Sequence, residues 1–88
     1  MSQLRLKLSE RALSWLERNP ARARPVAEWI RDALCDSDVE VEAVVVEHED
    51  LILYDSRVPG IGVAVVWSLS ASGTVRVHRI EDLSSTAP

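Results

Sequence analysis

The chain has 88 residues and a mass of 9.8 kDa, room for one domain and not for two. Hydrophobic residues make up 47% and charged residues 27%, a globular balance that excludes wholesale disorder, and one cysteine, Cys35, cannot form an internal disulfide or hold a structural zinc by itself. The net charge of −4 argues against broad nonspecific binding to nucleic acid.

Charge is unevenly divided. Residues 1–24 carry six basic and two acidic side chains, a net +4, whereas residues 39–88 carry three basic and eight acidic ones, a net −5. The basic end could face a polyanion and the acidic end would repel one. No apolar run approaches the roughly 18–20 residues that a membrane span needs. The start, MSQLRLKLSE, lacks a basic stretch followed by a long apolar core. With a single thiol, this leads us to expect a cytoplasmic protein.

In chain order, Gln3 to Leu8 alternates. Leu4, Leu6 and Leu8 share one face, and Gln3, Arg5 and Lys7 share the other, the period-2 mark of a half-buried strand. Ser9 is placed to cap a helix whose first turn holds Glu10 and whose stripe is Ala12, Leu13 and Leu16, with Trp15 beside it. Asn19-Pro20 ends it, because the residue before proline avoids the α region. Residues 20–24 read as a turn or frayed start, and Pro25 fits the first position of a second helix. Val26, Trp29, Ile30, Ala33 and Leu34 then form its apolar stripe, closed by Cys35 to Asp38.

The remainder reads as sheet. Residues 39–46 form a strand with Glu40 and Glu42 outward, His48-Glu49-Asp50 a turn, and Leu51 to Tyr54 a short strand. After a Pro59-Gly60 turn, Ile61, Val63, Val65, Trp67 and Leu69 make one large apolar face, opposite Gly62, Ala64, Val66, Ser68 and Ser70. Ala71-Ser72-Gly73 leads into a last strand, Thr74 to Ile80, with Val75 and Val77 on one face and Thr74, Arg76 and His78 on the other. The pattern predicts one α+β domain over residues 1–83: a strand, a two-helix hairpin, then an antiparallel meander of three or four strands, with the helices on one sheet face. Residues 84–88 read as a disordered tail.

The chemical inventory is sparse. No P-loop, no G-x-G-x-x-G, no H-E-x-x-H and no Cys-x-x-Cys is present. Nothing calls for a cofactor, and we assign no metal: His48 among Glu47, Glu49 and Asp50 reads as a solvated acidic turn. Cys35, with acidic neighbours, reads as an inert thiol, and Trp15, Trp29 and Trp67 as core filling. Arg76 and His78 share a strand face, and with Arg57 they could form a cationic cluster for phosphate or partner contacts.

The element order resembles the RelE/ParE superfamily of small toxins from bacterial toxin–antitoxin pairs. Ser9 to Leu13 with Leu16 and Pro20 looks like that family's strand-to-hairpin stretch; Leu53-Tyr54, Arg57-Val58 and Gly60 resemble its following strand and turn; Gly73 to Ile80 is similar to its last long strand. The resemblance spans about residues 4–81 and implies a protein that binds a cognate antitoxin segment along a helix–sheet groove. Of the family's catalytic positions, Arg57 and Arg79 find a match. The second arginine expected after the turn is Gly62, and the expected basic strand end is Glu81-Asp82. These departures favour a gyrase-directed or otherwise noncatalytic member over one that cleaves mRNA.

A second resemblance covers the first 35 residues. The Gln3 to Leu8 strand, followed by Arg24-Pro25-Val26-Ala27-Glu28-Trp29-Ile30-Arg31, looks like a ribbon-helix-helix repressor. It implies a dimer whose paired strands enter a DNA groove, with Gln3, Arg5 and Lys7 as readers and Arg24 on phosphate near a helix N-terminus. A third reading is a noncatalytic protein-interaction module. A dimer is compatible with each.

Overall fold

The computed structural model describes residues 4–36, 41–48 and 50–83, with only the backbone at His48. Expectations for Gln3, for the strand start at 39–40, for the turn at Glu49 and for the tail at 84–88 lie outside the described residues.

Alternation at the start produces strand β1, Arg5–Leu8, and the chain turns at once into helix α1, Glu10–Arg18. Ser9 makes that corner. Its hydroxyl accepts the Ala12 amide at 3.1 Å, satisfying a helix-terminal donor. α1 buries Ala12 and Trp15 and half-buries Leu16. Leu13, expected in the stripe, is 45% exposed. The helix has rolled to bury the indole, whose area is about twice that of a small aliphatic side chain.

Helix α2, Pro20–Trp29, begins at the earlier proline, so the placement of Pro25 at a helix start is corrected. Asn19 explains the tight join: its side-chain amide donates to the Trp15 carbonyl at 2.8 Å, and its Oδ1 accepts Arg22 Nη2 at 2.6 Å. Pro25 is exposed, so the Ala21 carbonyl that it leaves without an i+4 donor lies on the outer side of the helix. A single π turn, Ile30–Leu34, ends the rod, closed by the Cys35 amide on the Ile30 carbonyl at 3.2 Å. The wider turn keeps residues four apart near one line, and Val26, Ile30 and Leu34 are all buried.

Four antiparallel strands follow: β2 Val44–His48, β3 Leu51–Val58, β4 Val63–Leu69 and β5 Thr74–Asp82. Sheet order is β1-β5-β4-β3-β2. β1 lies parallel to β5, Leu6 beside Val75 and Leu8 beside Val77. Such pairing needs a long crossover, supplied here by the helices and the three earlier sheet strands. The architecture is the α+β arrangement expected, with the meander at four strands and β3 twice the expected length.

β1 joins its own sheet beside β5, in place of the separate N-terminal strand that the repressor reading needs. The Leu4 amide donates to Cys35, the Arg5 amide to Gly73 at 3.0 Å and the Ser9 amide to Val77 at 3.0 Å. Gly73 permits this closure with φ +86°, a left-handed value that L side chains rarely adopt.

The helices cover one sheet face. Beneath Ala12, Trp15, Val26, Ile30, Leu34 and Cys35 lie Val58, Val63, Val65, Val75, Val77 and Ile80. Each buried Val or Ile contributes about 1.5–3 kcal/mol. Ile80 joins this face out of alternation with Val75 and Val77. A β-bulge is the cause: Trp67 pairs with Val77 and Val66 with Arg79, so His78 is the extra residue. The bulge frees the His78 carbonyl, which accepts the Ser9 hydroxyl at 2.5 Å, so helix cap and bulge lock together.

Candidate functional site

The sheet face turned away from the helices is built on small residues. Ala64 and Val66 of β4 are 3% and 5% exposed although neither belongs to the helix-side core. Longer side chains on the flanking strands shield this floor. Register sets three rows across it: Lys7, Arg76 and Ser68; then Arg79, Val66, Asp55 and Val44; then Glu81, Ala64 and Arg57.

The rows differ in charge. The two nearest the β3–β4 turn alternate basic and acidic groups, and Arg79 Nε lies 3.1 Å from Glu81 Oε1. Arg57 stands on the far side of β4 from Arg79, two strand spacings across and one row along, about 12 Å away in backbone terms. The bulge therefore brings Arg57 and Arg79 to one face and simultaneously gives Arg79 a carboxylate. In the remaining row Lys7 and Arg76 lie side by side, and Arg5 extends the same face beside Thr74. Arg5 and Lys7, which the repressor resemblance implies as readers, sit at the basic end of this face.

His78 occupies the junction. Its Nε2 is 2.8 Å from the Ser68 hydroxyl. Burial, and secondarily the Arg76 guanidinium, lower its pKa below the ordinary 6.5, so the imidazole is neutral at pH 7. Arg76 and His78 are thus brought together as expected, with Ser68 as an additional partner. The sequence marks Ser68 only as one of the small residues on the face of β4 that meets Arg76.

A second feature opens beside Arg57. An open cleft of about 960 Å³ is lined by Trp29 and Ala33 from the helical side, Val41 to Val44, Asp55, Arg57 and Ala64 from the sheet side, and Pro59 and Leu83. Its walls are largely apolar, with Arg57 set among Asp55 and Glu42. Arg57 is thus the one sequence-selected residue that lines both cleft and open face.

Other selected residues take structural places. Arg24 lies inside α2 and not at a helix N-terminus, and it pairs with Glu28 at 3.1 Å, both well exposed. The helix start that the repressor reading needs beside Arg24 therefore lies at Pro20 instead. Cys35 is 2% exposed; burial raises its thiol pKa and Arg31 opposes the shift, so desolvation and not acidic neighbours keeps it protonated. Trp15 is buried as expected, whereas Trp29 and Trp67 are half-buried; Trp67 donates to Ser56 Oγ at 3.0 Å and lies against Tyr54 at 4.7 Å. Arg22, unmarked in the sequence, contacts Asp82 at 2.5 Å and covers the Trp15 ring at 5.1 Å. It pins α2 to the end of β5. Among the described residues no three His, Cys, Asp or Glu side chains gather as a metal site, and no helix is long and apolar enough to cross a membrane.

No protein-family model matches the chain, and no curated protein matches it. Among solved structures it is similar to a chain in the crystal structure of the toxin–antitoxin complex RelBE2 from Mycobacterium tuberculosis, with a TM-score of 0.74, 15% identity and 93% of each chain covered. At that identity the likeness is one of fold. The chain has a RelE-like fold.

Proposed function

We propose that this chain is the toxin-fold member of a toxin–antitoxin pair and acts by binding protein, with a cognate antitoxin segment seated in the helix–sheet cleft at Arg57. The observation that carries this reading is the composition of the cleft: apolar walls from Trp29, Val41, Val44, Pro59 and Leu83, with Arg57, Asp55 and Glu42 as its charged groups. Such a site takes an extended or helical segment that offers apolar anchors and polar groups that pair with Arg57 and the two carboxylates. The neighbour of like fold comes from a toxin–antitoxin complex, which supports the same class of partner.

A noncatalytic action is favoured by the state of the two arginines. RNA cleavage by side chains needs a base for the 2′-OH and cations free to meet charge on phosphorus. Arg79 is engaged by Glu81, and Arg57 shares its cleft with Asp55 and Glu42. Induced expression in a bacterium should arrest growth, and co-expression of the product of the neighbouring gene should relieve it. Arg57→Glu should weaken binding to that product by tenfold or more, about 1.4 kcal/mol. Harmless expression with no binding partner would reject the reading.

One observation supports RNA cleavage as the second reading. His78 is neutral at pH 7, hydrogen-bonded to Ser68 and adjacent to Arg76, an arrangement suited to a general base beside a phosphate-binding cation. Under it, translated mRNA should be cut, and His78→Ala should abolish the cuts. Under the protein-binding reading, primer extension should show intact message throughout the arrest.

A further inference from the structure

Exposed apolar side chains are concentrated at one end of the molecule. Of the eight large hydrophobic residues that are 40% exposed or more among the described residues, five lie in the β2–β3 hairpin: Val44 67%, Val45 57%, Val46 45%, Leu51 49% and Ile52 52%. They occupy both sheet faces, since Val44 and Val46 alternate with Val45. β2 is the outermost strand at its end, so its outer row of N–H and C=O groups has no ladder partner in the described sheet. A bare valine edge of this kind is a pairing surface unless something guards it.

We propose that β2 pairs antiparallel with β2 of a second copy of this chain, about a two-fold axis at Val45, joining two sheets edge to edge. The occupant follows from register. With the axis at Val45, Val45 meets Val45 and Val44 meets Val46, so all three valines face valines. The same register sets Glu42 opposite the sequence position of His48 in the second copy and keeps acid from meeting acid. Moving the axis to Val46 puts Val45 opposite Glu47, and moving it to Val44 puts Val46 opposite Glu42. Either shift sets a carboxylate against a valine. The pairing also closes. A two-fold contact uses one edge per copy, and the other edge, β1, carries Arg5 and Lys7, charges that discourage continued stacking.

The test measures association of the full chain by sedimentation velocity over a concentration series, for the wild type and for Val45→Lys. The wild type should dimerise reversibly, and Val45→Lys should raise the dissociation constant at least about tenfold by placing two like charges opposite each other. The melting temperature of the variant at low concentration should be unchanged, since Val45 is exposed in the monomer. Mild oxidation of Val45→Cys should give a disulfide-linked dimer, whereas Lys7→Cys on the opposite edge should not; buried Cys35 does not compete. A monomer at about 1 mM, association that survives Val45→Lys, or cross-linking through Lys7→Cys would each overturn the proposal. A wild type that stays monomeric, but loses capture of its antitoxin on Val45→Lys, would assign the edge to a different chain.

Discussion

At one end of the sheet β1 lies against β5 directly under the helices; at the other, β2 lies against β3 with valines in solvent on both faces. β1 has only four residues, yet backbone bonds from its neighbours Leu4 and Ser9 extend its hold, and the Ser9 side chain ties it to both α1 and the β5 bulge. β2 has five residues and one neighbouring strand. The difference separates two uses of a sheet edge. The β1 edge is charged, short and braced, as edges are when they must stay unpaired. The β2 edge is apolar and stands beyond the helix-covered core, so the free energy that holds the fold together resides mainly around β4 and β5. Surface for association is left at β2.

Substitutions of the same kind at the two ends should sharpen this contrast. Val77→Ala removes two methyl groups from a fully buried site beneath the helices and should cost about 2–3 kcal/mol of unfolding free energy in urea titrations. Val45→Ala, measured at concentrations where the chain is monomeric, should stay within about 0.5 kcal/mol. Comparable losses at the two sites would break the comparison. Next in size, Ser9→Ala removes the α1 cap and leaves the His78 carbonyl without its hydroxyl donor. It should cost about 1–2 kcal/mol, and hydrogen exchange should show β1 amides losing protection before those of β4.

Much of this was legible in the chain. Alternation at residues 4–8, the Ser9 cap, the Val26-Ile30-Leu34 stripe and the Val63-Val65 and Val75-Val77 faces each report a local period, and a period is what burial selects. Two kinds of feature escaped. Pro25 inside α2 contradicts its own preference: the helix starts earlier, at Pro20, where the Asn19 side chain joins α1 to α2 through Trp15 and Arg22, and Pro25 is left on the exposed side. The bulge leaves one local mark, the polar His78-Arg79 doublet that breaks the alternation before Ile80, but only pairing with β4 shows which residue is extra. The candidate site depended on that bulge: it puts Ile80 in the core and turns Arg79 to the open face. Arg57 needed no such event, because it sits in unbroken alternation with Asp55 beside β4.

The smallest expected effect tests whether the bulge is braced as a unit. Because the folded pKa of His78 lies below 6.5, the unfolded chain takes up a proton first as pH falls. The contribution is therefore fully present above pH 6.5 and is lost as pH drops through the folded value. Urea midpoints measured from about pH 7.5 down to about pH 5 should decline, and His78→Gln should flatten the part of the slope nearest pH 6.5. The protonated imidazole would face Arg76 and, beyond it, Lys7, so the basic end of the open face opposes the charge from two strands. Arg76→Gln should then shrink the decline by a fraction of the His78→Gln effect, because removing the guanidinium lets the folded pKa rise toward 6.5 while burial, the larger cause of the shift, remains. An identical profile in wild type and His78→Gln would detach the imidazole from the stability of the β1 end. A decline confined to hydrogen-exchange rates in β2 would place the proton-sensitive element at the opposite edge.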